Sequence, residues 1–381
     1  MAHESTTQPT CYPEEKKLYM ALELSKAKWL VRCSSGGRKA HQDVVLPNDE
    51  GRMAALVRRA KEKLGLAEDA KVVSCYEAGR DGFWPHRFLE RQGIENIVID
   101  AASMKVSRQG RRAKNDRIDV KLLLNELIRF HRGDEDVWRV VRVPSEEAED
   151  DRRPHRELER LKKERTQHRN RVRSLLAIHG VQITGDLMKL LRDLDRVKIW
   201  NGQALPENIK AEIKREHRRL ELVEADMADI QKYQRASVKR PASAKLEKVA
   251  KLQTLRGVGL DSAWLIVMEL LGWRTFSNRR EVGASVGLVG TPYDSGEMDR
   301  EQGISKAGNR RVRTRLIELS WLWLRYQPNS DLTKWFRKRY AESGKRSKRI
   351  GIVAVARRLL IQLWHFVEHD VKPKDAIFVK P

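Results

Sequence analysis

The sequence is short of cysteine and of long apolar runs. Its three cysteines, Cys11, Cys33 and Cys75, are too few and too scattered for a disulfide framework or a zinc knuckle, so we expect plain thiols. The first residues, MAHESTTQPTCYPEEKK, lack the apolar segment of a secretory signal. No apolar run approaches the roughly 18–20 residues of a membrane span. These absences predict a protein that stays in the cytoplasm.

What the chain has in excess is positive charge. Its 77 Lys and Arg residues outnumber 53 Asp and Glu residues, which gives a formal net charge of +24 over 381 residues. A surface this basic favours DNA or RNA as a partner, because binding releases the counterions of the nucleic acid. The alternative is a solvated surface kept for solubility, although such surfaces usually mix the two signs more evenly.

The order of patterns predicts an α/β part followed by two helical parts. Residues 1–16 are expected to be a disordered tail. Residues 17–135 alternate strands with helices: a β-meander comes first, Asn48 or Asp49 caps a helix, and KVVSCYEAG and IENIVIDAAS predict two further strands. Such alternation after a hairpin indicates a mixed sheet.

The later parts are predicted to be helical. In residues 136–242, narrow apolar seams among many charges predict an antiparallel helical hairpin of coiled-coil type, with a kink at Pro154. Its role is left open between a spacer and an arm that dimerises or grips nucleic acid. Residues 243–370 predict a compact helical domain, and residues 371–381 a second tail.

Isolated acids in apolar strands are the first candidates for chemistry. Glu23 is the only acid in LYMALELSKAKWLV, and Glu77 is the only acid in KVVSCYEAG. Each is costly to place in a half-buried strand without a cation nearby. Asp116 and Asp119 follow in KNDRID, at a spacing that puts both on one face of a helix. Carboxylates that converge from separate segments can hold the divalent ions of phosphodiester chemistry.

Each acid also has a simpler interpretation. Glu23 can face solvent, Glu77 can end its strand as a turn acid, and Asp116 can be a helix N-cap. Arg80, Asp81 and His86 flank Glu77 closely enough to orient it. A lone histidine is more often a hydrogen-bonded structural residue than a metal ligand.

Three stretches carry a resemblance to a known family: SCYEAGRDGFWPHRFL, RRAKNDRID and SGEMDREQGISKAGNRRVR. With them, the chain resembles the DEDD insertion-sequence transposases of the bridge-RNA-guided serine recombinase type. The resemblance covers about residues 17–367 and implies a RuvC-like, RNase H-like first domain that binds Mg²⁺ or Mn²⁺ through Glu23, Glu77, Asp116 and Asp119. The family usually has an aspartate where Glu23 stands, and the longer side chain puts full activity in question.

The resemblance also implies a nucleophile in the C-terminal domain. Ser295 is expected to attack DNA and form a phosphoserine link, at a composite site where the two domains meet. On the residues alone, the Ser-Gly pair is more simply a turn. Ser305 is the second candidate.

Basic and glycine-rich segments are expected to contact nucleic acid. Gly257 and Gly259 in LRGVGL are typical of a helix-hairpin-helix element that holds a phosphate on backbone N–H groups, although an ordinary turn is equally compatible. The expected contacts are Lys105, Arg108, Arg111, Arg112, Lys114, Arg256, Gly257, Gly259, Lys306, Arg310, Arg311 and Arg313.

The resemblance implies donor and target DNA as partners, a structured guide RNA, a dimer or tetramer, and association with the nucleoid. Two rivals stay open. One is a structure-specific endonuclease of the Holliday-junction type that uses the metal site alone. The other is a non-catalytic nucleic-acid-binding descendant of a transposase, which the departure at Glu23 favours.

Overall fold

The structure is a computed structural model that describes residues 16–103, 116–134, 137–290, 294–295, 298–299, 303–342 and 344–379. It divides into two compact units, which meet in the chain between Val143 and Pro144. The predicted helical hairpin falls in the second unit together with the C-terminal helices. Each unit is described separately.

The first unit is built on a five-stranded mixed sheet in the order β3-β2-β1-β4-β5. The strands are β1 (Leu18–Leu24), β2 (Trp29–Ser34), β3 (Ala40–Val45), β4 (Val72–Glu77) and β5 (Glu95–Ile99). The first three form the predicted antiparallel meander, and β4 and β5 run parallel to β1. The helices are α1 (Glu50–Leu64), α2 (Trp84–Arg91) and α3 (Asp116–His131).

Alternation along β1 separates two buried faces. Met20 and Leu22 pack with α1 and α2, through residues such as Met53 and Phe88. Ala21 packs on the opposite face with α3. The first helix begins as predicted, because the Asp49 side chain accepts a hydrogen bond from Arg52 N at 2.9 Å.

The second unit begins with a helical hairpin. The elements are α4 (Glu146–Asp150), α5 (Arg153–Ala177), α6 (Leu187–Arg192) and α7 (Glu207–Lys239). Leu158 near the start of α5 packs with Met227 late in α7, whereas Leu176 at its end packs with Ile213. The two long helices are therefore antiparallel, as predicted. The helix that Ser145 caps ends at Asp150, and α5 begins at Arg153, so the first arm is interrupted directly before Pro154, as predicted. Pro154 occupies the first turn of α5, where its missing N–H costs nothing.

The rest of the second unit is mainly helical. It contains α8 (Ala244–Gln253), α9 (Leu260–Ile266), which continues as a π-helical turn (Val267–Leu271), α10 (Arg279–Ser285), α11 (Arg310–Tyr326), α12 (Asp331–Tyr340) and α13 (Lys345–His369). Two short strands, β6 (Asp294–Ser295) and β7 (Met298–Asp299), form a hairpin between α10 and α11. One buried core joins these helices.

Two expectations about the C-terminal end differ from the structure. The end of the expected tail pairs with the turn after α8, since Arg256 N donates to Ile377 O at 3.0 Å and Val379 N donates to Thr254 O at 2.7 Å. Among the described residues, α13 is long and apolar enough to cross a membrane by length and composition, contrary to the sequence prediction. It is also 56% buried over that window, as the core helix of a folded domain would be.

Candidate active site in the first unit

Glu23 and Glu77 lie side by side at the carboxyl edge of the sheet. Strands β1 and β4 are parallel, and Leu22 is in register with Tyr76. One residue further along each strand are Glu23 and Glu77, the last of which ends β4. Parallel pairing therefore places two acids that are 54 positions apart in the chain on neighbouring strands at one edge.

Both acids belong to the face that α3 covers. Ala21 and Cys75 are buried beneath α3, and successive side chains of a strand alternate between faces. Glu23 and Glu77 are each two residues further on, and therefore project to the same face. Glu23 is half-buried and Glu77 is exposed.

The third carboxylate comes from the start of α3. Val120, Leu123, Leu124 and Leu127 fix this helix against the sheet. Asp119, directly before this apolar stripe, is half-buried. It therefore lies at the rim of the same face.

One cleft of about 340 Å³ unites these side chains. Glu23, Glu77 and Asp119 line it together with Asp81, and the cations of the lining are Lys26 and Arg80. Arg80 pairs with Asp81 at 3.4 Å. Asp116, one helical turn before Asp119, is exposed and does not line the cleft. The structure thus brings three of the four predicted carboxylates together, and adds Asp81, which the sequence marked only as a neighbour of Glu77.

The donor set suits a hard divalent cation. Carboxylate oxygens are the ligands of Mg²⁺, which is usually held by one or two of them and completes its shell with water and substrate phosphate. In the described part of the chain, no three Asp, Glu, His or Cys side chains converge closely enough to form a complete cage around one ion. An open site of adjacent acids fits an ion shared with a phosphate better than a purely structural ion.

His86 and Trp84 serve the fold beside this cleft. His86 Nδ1 lies 3.0 Å from Asn96 Nδ2, and burial lowers the pKa of the imidazole. Trp84 packs on Trp29, with ring centroids 5.1 Å apart. Neither residue lines the cleft.

The two described cysteines, Cys33 and Cys75, are buried and unreactive. Burial raises the pKa of the Cys33 thiol to about 12, and burial also raises the pKa of Cys75. Both thiols are therefore protonated at neutral pH. The basic residues Lys105, Arg108, Arg111, Arg112 and Lys114 lie outside the described residues, as does Cys11.

Candidate nucleophile segment in the second unit

The segment with Ser295 is joined at its two ends by backbone contacts, and we call these joined ends its base. Gly290 and Ile304 form an antiparallel bridge, and Ser305 N donates to Val289 O at 2.8 Å. Ser295 itself lies in β6, in register with Met298. Its backbone is thus in a two-stranded hairpin, and its side chain lies outside the description.

Close backbone packing supports this base. Gly287 and Gly308 have φ angles of +66° and +78°. A Cβ atom at Gly287 would collide with the backbone of Ala307, and one at Gly308 with the backbone of Ser285. Only glycine combines such a φ angle with so close an approach, so the two loops can pack against each other.

The predicted phosphate contacts near α11 have different surroundings. Lys306 and Arg310 are exposed. Arg311 pairs with Glu159, and Arg313 donates to Val286 O at 2.8 Å. Burial lowers the pKa of Arg313, and nearby Arg310 lowers it further. Arg311 and Arg313 thus already support the fold.

A buried carboxylate behind this segment was missed by the sequence interpretation. Glu269 lies in the π-helical turn and is 1% exposed. His155 Nε2 lies 3.0 Å from its Oε1, Arg156 donates to Oε1 at 2.7 Å, and Asn309 donates to Oε2 at 3.0 Å. Burial raises the pKa of Glu269, but the bonds from His155 and Arg156 outweigh it and hold that pKa well below its usual value.

Glu269 reaches the start of α11 through Asn309. Asn309 caps that helix, since its Oδ1 accepts from Arg311 N at 3.0 Å and Val312 N at 3.2 Å. Glu269 is also the only acid in the run SAWLIVMELLGW. The rule that selected Glu23 and Glu77, a lone acid in an apolar run, would have found it.

The Arg256 to Gly259 turn joins two helices, as the sequence predicts. Gly257 has a φ angle of +92° and packs on Tyr326, and Gly259 precedes α9. The carbonyl of Arg256 accepts a hydrogen bond from Gln327 Nε2 at 2.8 Å. The turn is therefore part of the packed core edge, and a phosphate role for it stays a prediction.

Comparisons with known proteins identify the family of both parts of the chain. The family model described as "DEDD_Tnp_IS110: Transposase" matches residues 24–180, and that described as "Transposase IS116/IS110/IS902 family" matches residues 249–341. The first match includes Glu77, Asp116 and Asp119, and the second includes the whole segment with Ser295.

Full-length relatives support the same assignment. "Putative transposase y4rJ" of Sinorhizobium fredii (strain NBRC 101917 / NGR234) is 38% identical over 379 residues, which cover 96% of this chain and 95% of that protein. "Transposase for insertion sequence element IS1111A" of Coxiella burnetii is 27% identical over 285 residues, 74% of each chain. The mixed sheet of the first unit is accordingly an RNase H-like DEDD domain, and the chain belongs to the IS110/IS116/IS902 family of insertion-sequence DNA transposases.

Proposed function

We propose that this transposase cuts and rejoins DNA strands with two sets of groups, the carboxylates of the cleft and the hydroxyl of Ser295. The observation that carries the proposal is the cleft, where β1, β4 and α3 supply Glu23, Glu77 and Asp119 in a chain of a DEDD transposase family. Asp116 is one turn away on α3, and is assigned with them as the fourth carboxylate.

The carboxylates would hold Mg²⁺ or Mn²⁺, an ion that neutralises charge on the phosphate under attack. Glu23 and Glu77 are fixed by strand pairing, and Asp119 is fixed by the packing of α3. Their negative charge is compatible with DNA only when cations accompany it. Lys26 and Arg80, which line the same cleft, supply part of the positive charge that is needed.

Ser295 would supply the attacking oxygen. Its Oγ forms a bond to phosphorus, the bond from phosphorus to the leaving deoxyribose oxygen breaks, the serine proton passes to a base, and the leaving oxygen takes up a proton. The product is a phosphoserine link that a DNA hydroxyl can later reverse. The pinned base of the Ser295 segment supports this role, since positioning is a large part of such catalysis.

Donor and target DNA are the proposed substrates, chosen with a structured guide RNA, and a dimer or tetramer is the proposed assembly. The net charge of +24 supports a nucleic-acid partner and is compatible with either polymer. An assay with and without RNA transcribed from the element's own flanks tests the guide. Unchanged target choice without RNA would contradict it.

Trapping a covalent adduct tests the chemistry. DNA with the element ends is incubated with the protein and denatured, and protein joined to labelled DNA is measured. Ser295→Ala and Asp119→Asn should each eliminate the adduct, whereas Ser305→Ala and the exposed control Glu62→Gln should retain it. An adduct that survives in Ser295→Ala would move the nucleophile elsewhere. Strand cleavage that persists in Ser295→Ala without any adduct would favour the Holliday-junction-type nuclease.

A further inference from the structure

A second concave surface lies in the C-terminal part of the second unit. It has a volume of about 1,390 Å³ and is lined by α10, α12 and α13, and we call it the basic groove. Small-molecule sites usually measure about 300–1,000 Å³. The basic groove is therefore large enough for an extended ligand.

Cations dominate the lining of the basic groove. They project from all three helices, and include Arg279, Arg280, Arg339, Arg346, Arg349 and Arg357. Within the described residues, Asp331 is the only acid of the lining, and none of these six arginines forms an ion pair with a carboxylate. Unpaired like charges repel one another, and a bound anion would reduce this repulsion.

Some of these cations are also placed against the helix dipole. Lys345 and Arg346 begin α13. The N-terminus of a helix has partial positive charge and favours acids, but the first turn of α13 has none. Cations at these positions are repelled by the partial charge of the helix N-terminus. A polyanion bound there would be attracted both by these cations and by the helix N-terminus.

An aromatic surface lies among the cations. The Arg358 guanidinium stacks 3.9 Å from the Trp335 ring centroid, and Tyr340 meets Trp335 edge-on at 5.9 Å. Trp335 and Tyr340 both line the basic groove and are half-buried. Arginines interleaved with aromatic rings are typical of surfaces that follow a nucleic-acid strand.

The basic groove borders the base of the Ser295 segment. Gly290 and the pair Gly303 and Ile304 belong to its lining, and these residues flank the segment on both sides. A strand in the groove would thus lie beside the chain that bears Ser295.

We propose that the basic groove binds the sugar–phosphate backbone of the DNA strand on which Ser295 acts. The inference rests on the proposed function. It places the main DNA contacts of this unit on α10, α12 and α13, rather than on Arg311 and Arg313, which are used within the fold.

Paired substitutions on the same helices test the groove. Arg339→Gln with Arg349→Gln removes two lining cations. Lys338→Gln with Lys348→Gln removes the same charge at neighbouring exposed or half-exposed positions of α12 and α13 that do not line the groove. Equal thermal unfolding midpoints of the two double variants and the parent protein establish that the fold is kept.

Affinity for fluorescein-labelled DNA and RNA of equal length is measured between about 50 and 200 mM salt. The double arginine variant should bind DNA about tenfold or more weakly at low salt. The slope of the logarithm of affinity against the logarithm of salt concentration should be less steep by about 1.4 for single-stranded DNA or about 1.8 for duplex DNA. The lysine pair should leave both close to the parent values. Adduct yield should fall with the arginine pair alone.

Three results would overturn the groove assignment: equal losses in the two double variants, unchanged DNA binding with the arginine pair, or a loss confined to RNA. The proposed function fails separately. A parent protein that binds DNA through the groove but forms no adduct would overturn the serine chemistry and leave the groove in place.

Discussion

Lone acids in apolar runs have opposite fates in the two units. In the first unit, Glu23 and Glu77 stand at a sheet edge and open into a cleft beside Asp119. In the second unit, Glu269 is 1% exposed and is surrounded by His155, Arg156 and Asn309. The sequence signal is the same in each case, a carboxylate where burial is costly.

The difference lies in what satisfies the charge. Glu269 is neutralised from within the fold, so it can order its neighbours but has no lone pair directed at a substrate. The cleft acids share their space with Lys26 and Arg80, and the cleft is open to solvent. A lone acid in an apolar run therefore indicates that a cation must lie near it. A cation from within the fold gives the acid a structural role, whereas an acid that faces an open cleft can take part in chemistry.

The largest expected effect concerns the carboxylates of the cleft. Asp119→Asn or Glu77→Gln should lower strand cleavage by about 10²–10³-fold or more, because a charge that stabilises the transition state is lost. Thermal unfolding should shift little, since neither side chain is buried in the core. Asp116→Asn, outside the cleft lining, should cost less than Asp119→Asn. The reverse order would make Asp116 the more important of the two helical carboxylates.

The second prediction concerns the contribution of Glu269 to stability. Glu269→Gln should lower the free energy of unfolding by about 3 kcal/mol, because the buried Glu269 loses its charge-assisted hydrogen bonds to His155 and Arg156. Urea unfolding measures this loss. Glu318→Gln, an exposed acid of α11, is the control. A fully stable Glu269→Gln protein without activity would make Glu269 a functional residue instead.

The pH dependence of stability follows from the same group. The pKa of Glu269 is depressed in the folded state, so its contribution is complete above the unfolded value of about 4.5 and is lost as pH falls toward the folded value. The parent protein should therefore lose stability below about pH 4.5 more steeply than Glu269→Gln. Parallel curves would contradict the charged, paired state of Glu269.

A third prediction tests the base of the Ser295 segment. Gly308→Ala should cost about 3 kcal/mol, because a strained φ angle and a backbone collision add together. Gly303→Ala is the matched control, with a φ angle of +83° and no described atom within 4 Å of the new Cβ. It should cost only about 1 kcal/mol. Equal losses in urea unfolding would show that the close approach at Gly308 is not important.

The smallest expected effect concerns Glu23. Shortening it to aspartate moves the carboxylate by about one methylene, and a misplacement of 1 Å can cost about a hundredfold. We expect Glu23→Asp to cleave about tenfold to a hundredfold more slowly, because the shorter side chain would withdraw its carboxylate from those of Glu77 and Asp119. Faster cleavage by Glu23→Asp would identify this chain as a weakened copy.

Much of the architecture is readable from the sequence because it depends on local patterns. The short apolar runs from Leu18 to Val45 predict the meander, and the capping residue before α1 predicts where that helix begins. The seams of α5 and α7 predict an antiparallel hairpin. Pro154 predicts the interruption between α4 and α5, because proline is accepted in the first turn of a helix but not in its interior.

By itself, the sequence determined the strongly basic charge, the strand and helix order, and the identity of the lone acids, since these depend on composition and on neighbours in the chain. Tertiary structure alone decided that Glu23 meets Glu77, because parallel pairing joins residues 54 positions apart. It also decided that Asp119 rather than Asp116 lines the cleft, that Glu269 is neutralised internally, and that arginines of three helices share one groove. Such contacts depend on how faces pack across long separations, and a local pattern has no information about which distant cation or strand will arrive.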